Sequence, residues 1–292
     1  MDPAATYKTD WVERISRAVL PRAMRRWVRQ QRAESLFLPY LRSTDVFLVG
    51  HPKSGNTWLA YMLAIILAKD QDGRVTFANL RNIVPYIHGQ DFRIASYGDS
   101  QSPRVFRNEN PLYPGRYPKT IYLVRDPRSV LISFYHMYRT KCNEGNKTLQ
   151  SFLDDYLSGE GCFTKWNRGL VRWDRQVTTW TTRAEHDATV LIVKYEEMAA
   201  NRQDVLERVT MFSGMSCTAD NLALAVKRGE FSEMQKLEEN HGAEAYTEEM
   251  SQRSRFIRRG QIDGWRDEVD PLLIRRIEQE FGPTMKAMGY LK

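Results

Sequence analysis

Short apolar runs closed by turn residues alternate along the chain with longer stretches in which apolar positions recur every three or four residues. Val46 to Val49 is one such run and predicts a buried parallel strand. His51 to Asn56 holds Pro, Ser, Gly and Asn and cannot extend it. Thr57 to Ala68 is apolar nearly all round, as a helix between a sheet and other helices would be, and its 12 residues are too few to cross a membrane. Lys119 to Arg125 and Thr189 to Lys194 predict two more buried strands, and Arg104 to Arg107 a shorter one. Asp126-Pro127 reads as a cap with proline at the first helical position, so a helix continues from Ser129 to Lys141. Helical faces follow at Leu149/Phe152/Leu153/Tyr156/Leu157 and at Leu170/Trp173/Val177/Trp180. Another runs behind an Asn201 cap through Val205, Leu206, Val209 and Phe212, and Thr218 to Lys227 also reads as helix. Leu272, Leu273, Ile277, Phe281 and Met285 predict the last helix. Residues 70–103 read as short helices and loops, and 229–268 show no clear period. Strand and helix alternate, so the expected class is α/β: a three-layer α/β/α arrangement on a mostly parallel central sheet.

Composition changes this picture little. The 292 residues are 42% hydrophobic and 27% charged, with no repeat or linker, so one domain over 1–292 is expected. The net charge of +7 suits an anionic ligand, a nucleic acid or an acidic membrane face, without choosing among them. Cys142, Cys162 and Cys217 have no metal-like spacing and read as free thiols in a reducing, cytoplasmic setting. No apolar run precedes Val46, so no signal peptide is expected. Residues 1–40 are expected to form a basic, helical extension packed on or near the domain. Within 11–32, Trp11, Ile15, Val19, Ala23 and Trp27 recur every four residues among arginines. That pattern fits a helix packed on the domain with a solvated arginine face, or one making peripheral membrane contact.

Strand, glycine loop and helix in sequence aim free N–H groups and a helix dipole at an anion, most often a phosphate. Gly50 and Gly55 have the spacing of the phosphate loop of nucleotide kinases, which makes the fold P-loop nucleotide-kinase-like. Asn56 stands where that loop needs its lysine, and Lys53 comes three residues early. The usual lysine reaches the β/γ-phosphates beside magnesium, so the displacement argues against a magnesium triphosphate site. Arg125 and Ser133 fall at and beyond the end of a strand. In a parallel sheet that is the ligand pole, and a guanidinium with a hydroxyl suits a phosphate, while Arg125 taken alone fits a surface ion pair with Asp126 or another acid equally well.

Pro52-Lys-Ser-Gly-Asn-Thr-Trp58 resembles the 5′-phosphosulfate loop of the cytosolic-type sulfotransferases, which has Thr at the position of Asn56. These enzymes use 3′-phosphoadenosine 5′-phosphosulfate (PAPS) and release adenosine 3′,5′-bisphosphate (PAP). Ile121 to His136 resembles their 3′-phosphate block, with Arg125 and Ser133 matching its ligands. Val193 to Met198 matches a Tyr-Glu-Asp-Met segment, and Arg258-Arg259-Gly260 through Trp265 an Arg-Lys-Gly…Gly-Asp-Trp segment with Arg259 for Lys and Asp263-Gly264 reversed. The resemblance runs in order from about Asp45 to Trp265. It implies that Lys53, Ser54, Gly55, Asn56, Thr57 and Trp58 hold the phosphosulfate end, Trp58, Tyr195 and Phe231 the adenine, and Arg125, Ser133, Arg258, Arg259 and Gly260 the 3′-phosphate.

Sulfuryl transfer needs the acceptor oxygen to lose a proton and the leaving oxygen to be neutralised. Lys53 is the natural electrophile for the leaving oxygen. The family's catalytic histidine aligns with Glu109 in Arg107-Asn-Glu109-Asn-Pro111, so Glu109 is the expected base, active if burial raises its pKa. His88 is the alternative base, and His51 and His136 compete less well. No metal is expected. The implied function is transfer of a sulfo group from PAPS to a hydroxyl or amine of a small acceptor. The alternatives are a kinase-type phosphotransferase, or a non-catalytic nucleotide- or anion-binding protein on the same fold. The acceptor is expected among residues 70–103, 138–165 and 240–257, where Tyr86, Phe92, Tyr97, Tyr138, Phe163 and Trp166 offer an aromatic slot. A nucleic-acid partner is not expected, and oligomeric state is left open because the family's dimer segment is not found around 236–249.

Overall fold

The computed structural model describes residues 34–35, 37–87, 103–111, 113–142, 145–158, 170–243, 255–258 and 260–292. The arginine-rich segment 11–32 lies outside the described residues, as do His88, Phe92, Tyr97, Cys162, Phe163, Trp166 and Arg259. Four strands form a parallel sheet in the order β2–β1–β3–β4: β1 Val46–Gly50, β2 Val105–Asn108, β3 Lys119–Val124 and β4 Val190–Lys194. Helix α1, Asn56–Ala68, follows β1, and α2, Leu80–Ile83, precedes β2. Between β3 and β4 run α3 Pro127–Cys142, α4 Leu149–Ser158 and α5 Trp173–His186. After β4 come α6 Tyr195–Ala200, α7 Arg202–Ser213, α8 Ala219–Arg228, α9 Phe231–His241 and α10 Pro271–Ala287.

Alternation along the strands sorts the layers. Val46, Leu48, Ile121 and Leu123 face a core with α1, α7 and α8, whereas Phe47, Val49, Tyr122 and Val124 face one with α3, α4, α5 and α10. Both faces of the sheet are therefore covered by helices. The helices after β1 and β3 lie on opposite faces of neighbouring strands, and this divergence opens a crevice at the carboxyl ends of β1 and β3. The 51–55 loop and Arg125 sit there.

The expected caps at Asp126 and Asn201 form, and Thr218 adds a third that the sequence reading did not name. Asp126 Oδ1 accepts from the Arg128 N–H at 2.8 Å, Asn201 Oδ1 from Asp204 at 3.2 Å and Thr218 Oγ1 from Asn221 at 3.2 Å. One expectation fails. The last helix buries Ile274, Ile277, Phe281 and Met285, while Leu272 is 66% exposed. At 100° per residue, Leu272 stands well off the stripe fixed by Ile277 and Phe281. Residues 229–268, which show no clear period, nevertheless hold α9. Its helix buries only Met234 and Glu238, too few apolar positions to give a period. Among the described residues, no helix is long and apolar enough to cross a membrane.

Candidate active site

The loop after β1 is held by its own polar groups. Ser54 N–H donates to His51 O at 3.1 Å, and Asn56 Nδ2 donates to Gly50 O at 3.1 Å and His51 O at 3.3 Å. Lys53 has φ 74°, a left-handed conformation that side chains rarely adopt and that concentrates at functional sites. Gly55 has φ 103°, and a Cβ there would stand 2.8 Å from Tyr195 Cδ2, so the turn into α1 requires glycine. The loop thus delivers the free N–H groups of a 13-residue helix to the crevice.

Arg125 closes one side. Its Nη1 donates to Lys53 O at 3.3 Å, and its guanidinium carbon lies 3.9 Å from the Tyr195 ring centroid. Trp58 flanks the same tyrosine, with centroids 5.3 Å apart, and its Nε1 donates to Gly229 O at 2.7 Å. Tyr195, Trp58 and Arg125 therefore form one aromatic and cationic wall. Phe231, the first residue of α9, lies against Gly260, where a Cβ would fall 2.2 Å from Phe231 Cδ2. Ser133 is partly buried on α3, the helix that opens directly after Arg125 and Asp126. Arg258 reaches the same helix indirectly: it bonds Glu268 at 2.6 and 2.7 Å, and Glu268 bonds His136 at 2.6 Å, three residues past Ser133. Among the described residues, Ser54 Oγ and Arg125 Nε are buried without a partner. Polar atoms left so are costly unless a ligand meets them, and a bound anion fits both.

On the other side stands Glu109. Its Oε1 accepts from Asn56 Nδ2 at 3.3 Å and from Tyr86 Oη at 3.3 Å, and its backbone carbonyl accepts from Gln176 Nε2 at 2.8 Å. Burial raises its pKa, opposed by the Asn56 hydrogen bond and by the charges of Lys141, Arg107 and Lys53. It makes no ion pair among the described residues. Arg104 is committed to Asp45 at 2.6 Å, and Arg107 donates to Val84 O at 2.7 Å while stacking 4.0 Å from the Tyr86 ring centroid. Burial, with the charges of Lys141 and Arg125, lowers Lys53 to about 7, against the pull of Glu109 and Glu238. The Lys53 ammonium position lies 3.9 Å from the Phe256 ring centroid.

His51 is fully buried, and that burial lowers its pKa to about 4. Its Nδ1 lies 3.0 Å from Pro52 O, which cannot donate, so Nδ1 carries the proton and Nε2 accepts from Tyr156 Oη at 3.2 Å. That is a structural role. Three residues at the site escaped the sequence reading as parts of it, Gln176, Glu238 and Glu268, and Phe256 was covered only by the 240–257 range. Glu238 holds the loop bearing Arg258 by accepting from Phe256 N–H at 2.6 Å and Ile257 N–H at 2.8 Å. Tyr86 had signalled itself only as an aromatic. An acidic residue on a polar helix face gives no mark of what it will bind.

The sulfotransferase domain matches residues 43–289. The chain belongs to the sulfotransferase family. An amine sulfotransferase from Oryctolagus cuniculus is 23% identical over 256 residues, covering 84% of this chain and 82% of the relative. A 3-beta-hydroxysteroid sulfotransferase from Cavia porcellus is 25% identical over 236 residues, 77% of this chain and 78% of the relative. Among solved structures, a mouse sulfotransferase complexed with PAP superposes with a TM-score of 0.63 at 24% identity, over 86% of this chain and 88% of that one. Retinol dehydratase in complex with androsterone and PAP gives 0.61 at 19% identity, over 84% and 82%. The chain is a sulfotransferase with the α/β fold expected of one.

Proposed function

We propose that the chain transfers the sulfo group of PAPS directly, in line, to a hydroxyl or amine of a small acceptor, with Glu109 as general base and Lys53 at the leaving oxygen. The observation that carries this is the hydrogen bond from Asn56, in the phosphate loop, to Glu109. It puts a partly buried carboxylate of raised pKa at the mouth of the loop that holds Lys53. The relatives named for amines, hydroxysteroids and retinol support a small acceptor.

Backbone N–H groups of 54–58, with the hydroxyls of Ser54 and Thr57, hold the 5′ end of the donor. Trp58, Tyr195 and Phe231 take the adenine. Arg125, Ser133 and the Arg258–Gly260 segment take the 3′-phosphate. When bound, PAPS supplies the sulfo group, whose sulfur–oxygen bond to the 5′-phosphate breaks as the bond to the acceptor forms. Glu109 receives the acceptor proton, for which a carboxylate of raised pKa is the better base near neutral pH. Lys53 donates a hydrogen bond to the phosphate oxygen on which charge develops.

The test is incubation with labelled PAPS and a pool of hydroxylated and amine acceptors, read by mass spectrometry for one added sulfo group. Glu109→Gln should lower kcat by about 10²–10⁴-fold, the usual contribution of a general base. Lys53→Ala should abolish transfer. Full rate in Glu109→Gln would overturn the base assignment and move it to His88.

A further inference from the structure

Glu109 is the only carboxylate offered for the chemistry, and what surrounds it is specific. Two neutral donors, Asn56 Nδ2 and Tyr86 Oη, both reach the same oxygen, Oε1, at 3.3 Å each. No described residue donates to Oε2. The two donors come from opposite sides: Asn56 opens α1 at the phosphate loop, and Tyr86 precedes β2, bridging to Arg107. Each donor is itself fixed. Asn56 Nδ2 shares its hydrogens with Gly50 O and His51 O, and the Tyr86 ring is stacked on the Arg107 guanidinium. The backbone at Glu109 is pinned separately by Gln176, which takes a hydrogen bond from Tyr122 Oη at 3.3 Å.

We infer that Asn56 and Tyr86 are positioning residues that clamp one oxygen of Glu109 and leave the other to take the acceptor proton. This rests on Glu109 being the base. The arrangement has a chemical logic. A carboxylate free to rotate presents either oxygen, while one anchored at Oε1 presents Oε2 in a fixed direction. Neutral donors orient a carboxylate while lowering its pKa less than a paired guanidinium would, so the group remains basic. Asn56 also belongs to the loop that carries Lys53, so the clamp ties base and electrophile to one rigid piece of chain.

The experiment follows the Glu109 carboxyl carbon by NMR in the full chain labelled with 13C-glutamate, its signal identified by its loss in Glu109→Gln. Removing a donor to the charged form raises a carboxyl pKa, so Tyr86→Phe and Asn56→Ala should each move the titration midpoint up by roughly 0.5–1 pH unit. The ascending limb of kcat/KM for 2-naphthol sulfation should move with it, and kcat should fall about tenfold. In a Glu109→Gln background Tyr86→Phe should cost nothing more. Unmoved midpoints in both variants would overturn the clamp, as would an equal rate loss in that background. Tyr86→Phe removes a single hydroxyl and decides alone if Asn56→Ala does not fold. If Glu109→Gln keeps its rate, the base reading fails, while the midpoints still report the clamp. If it loses its rate and the midpoints stay, the clamp fails and the base stands.

Discussion

Arg258 is held by both oxygens of Glu268, at 2.6 and 2.7 Å, so the arginine expected to meet the 3′-phosphate already has an internal carboxylate. The pair joins the 256–258 loop to α3 through His136. A phosphate and the Glu268 carboxylate ask for the same guanidinium.

Competition of that kind sets the first prediction. Glu268→Gln keeps the shape and removes the charge, so PAP should bind more tightly, by up to about fivefold, the worth of a partly exposed ion pair. Isothermal titration at low salt measures it. Weaker binding would mean that Glu268 presents Arg258 to the ligand rather than competing for it.

Lys53 sets the second. Burial first, then the neighbouring cations Lys141 and Arg125, lower it from 10.5 to about 7. A bound bisphosphate favours the ammonium and raises that pKa, so binding takes up a proton wherever the free lysine is neutral. At pH 8, where the phosphates are fully ionised, most of a proton should be taken up per PAP, with affinity falling as pH rises above 7. Titrations in buffers of different ionisation enthalpy count the protons, and Lys53→Met should remove the uptake at pH 8.

The strands, the phosphate loop and the Arg125 wall were legible because each is written locally, in apolar runs, glycine spacing and a capped helix start. Asn56 and Glu109 each stood out alone, as departures from a family pattern. Their contact did not, because a separation of 53 residues is closed only by the pairing of β1 with β2. Glu238 and Glu268 were invisible for a related reason. Their roles are hydrogen bonds to a loop without periodicity, and a carboxylate on a helix or turn reads as solvated until its partner is placed. Leu272 misled because one leucine in a pair must face outward, and the sequence does not say which.

Gly55 carries a third prediction. Its φ of 103° and the 2.8 Å approach to Tyr195 leave no room for a Cβ. Gly55→Ala should cost about 1–3 kcal/mol, roughly the strain of a forced backbone, and lower Tm by several degrees. It should also push Tyr195 from the Arg125 and Trp58 wall and weaken PAP at least tenfold. A thermal melt and a PAP titration on the same preparation check both. Unchanged binding with a lowered Tm would show that the wall tolerates the shift.

The last prediction concerns stability rather than chemistry. His51 is fully buried, with its pKa lowered by that burial from 6.5 to about 4. Between those values the unfolded chain binds a proton at this position that the folded chain refuses. Stability is therefore retained above pH 6.5 and lost progressively as pH falls toward 4. From pH 7 to pH 5 this one residue should account for about 2 kcal/mol. Protonation would put a second hydrogen on the ring, on Nε2, where the ring now accepts from Tyr156, and Tyr156 also accepts from the Trp173 N–H at 3.0 Å. The Trp173 indole in turn donates to Arg125 O at 3.1 Å, so acid should loosen the arginine wall along with the core. Urea melts at the two pH values measure the loss. His51→Gln, which cannot titrate, should begin less stable at pH 7 and show a shallower decline; an equal decline would assign the acid sensitivity to other groups.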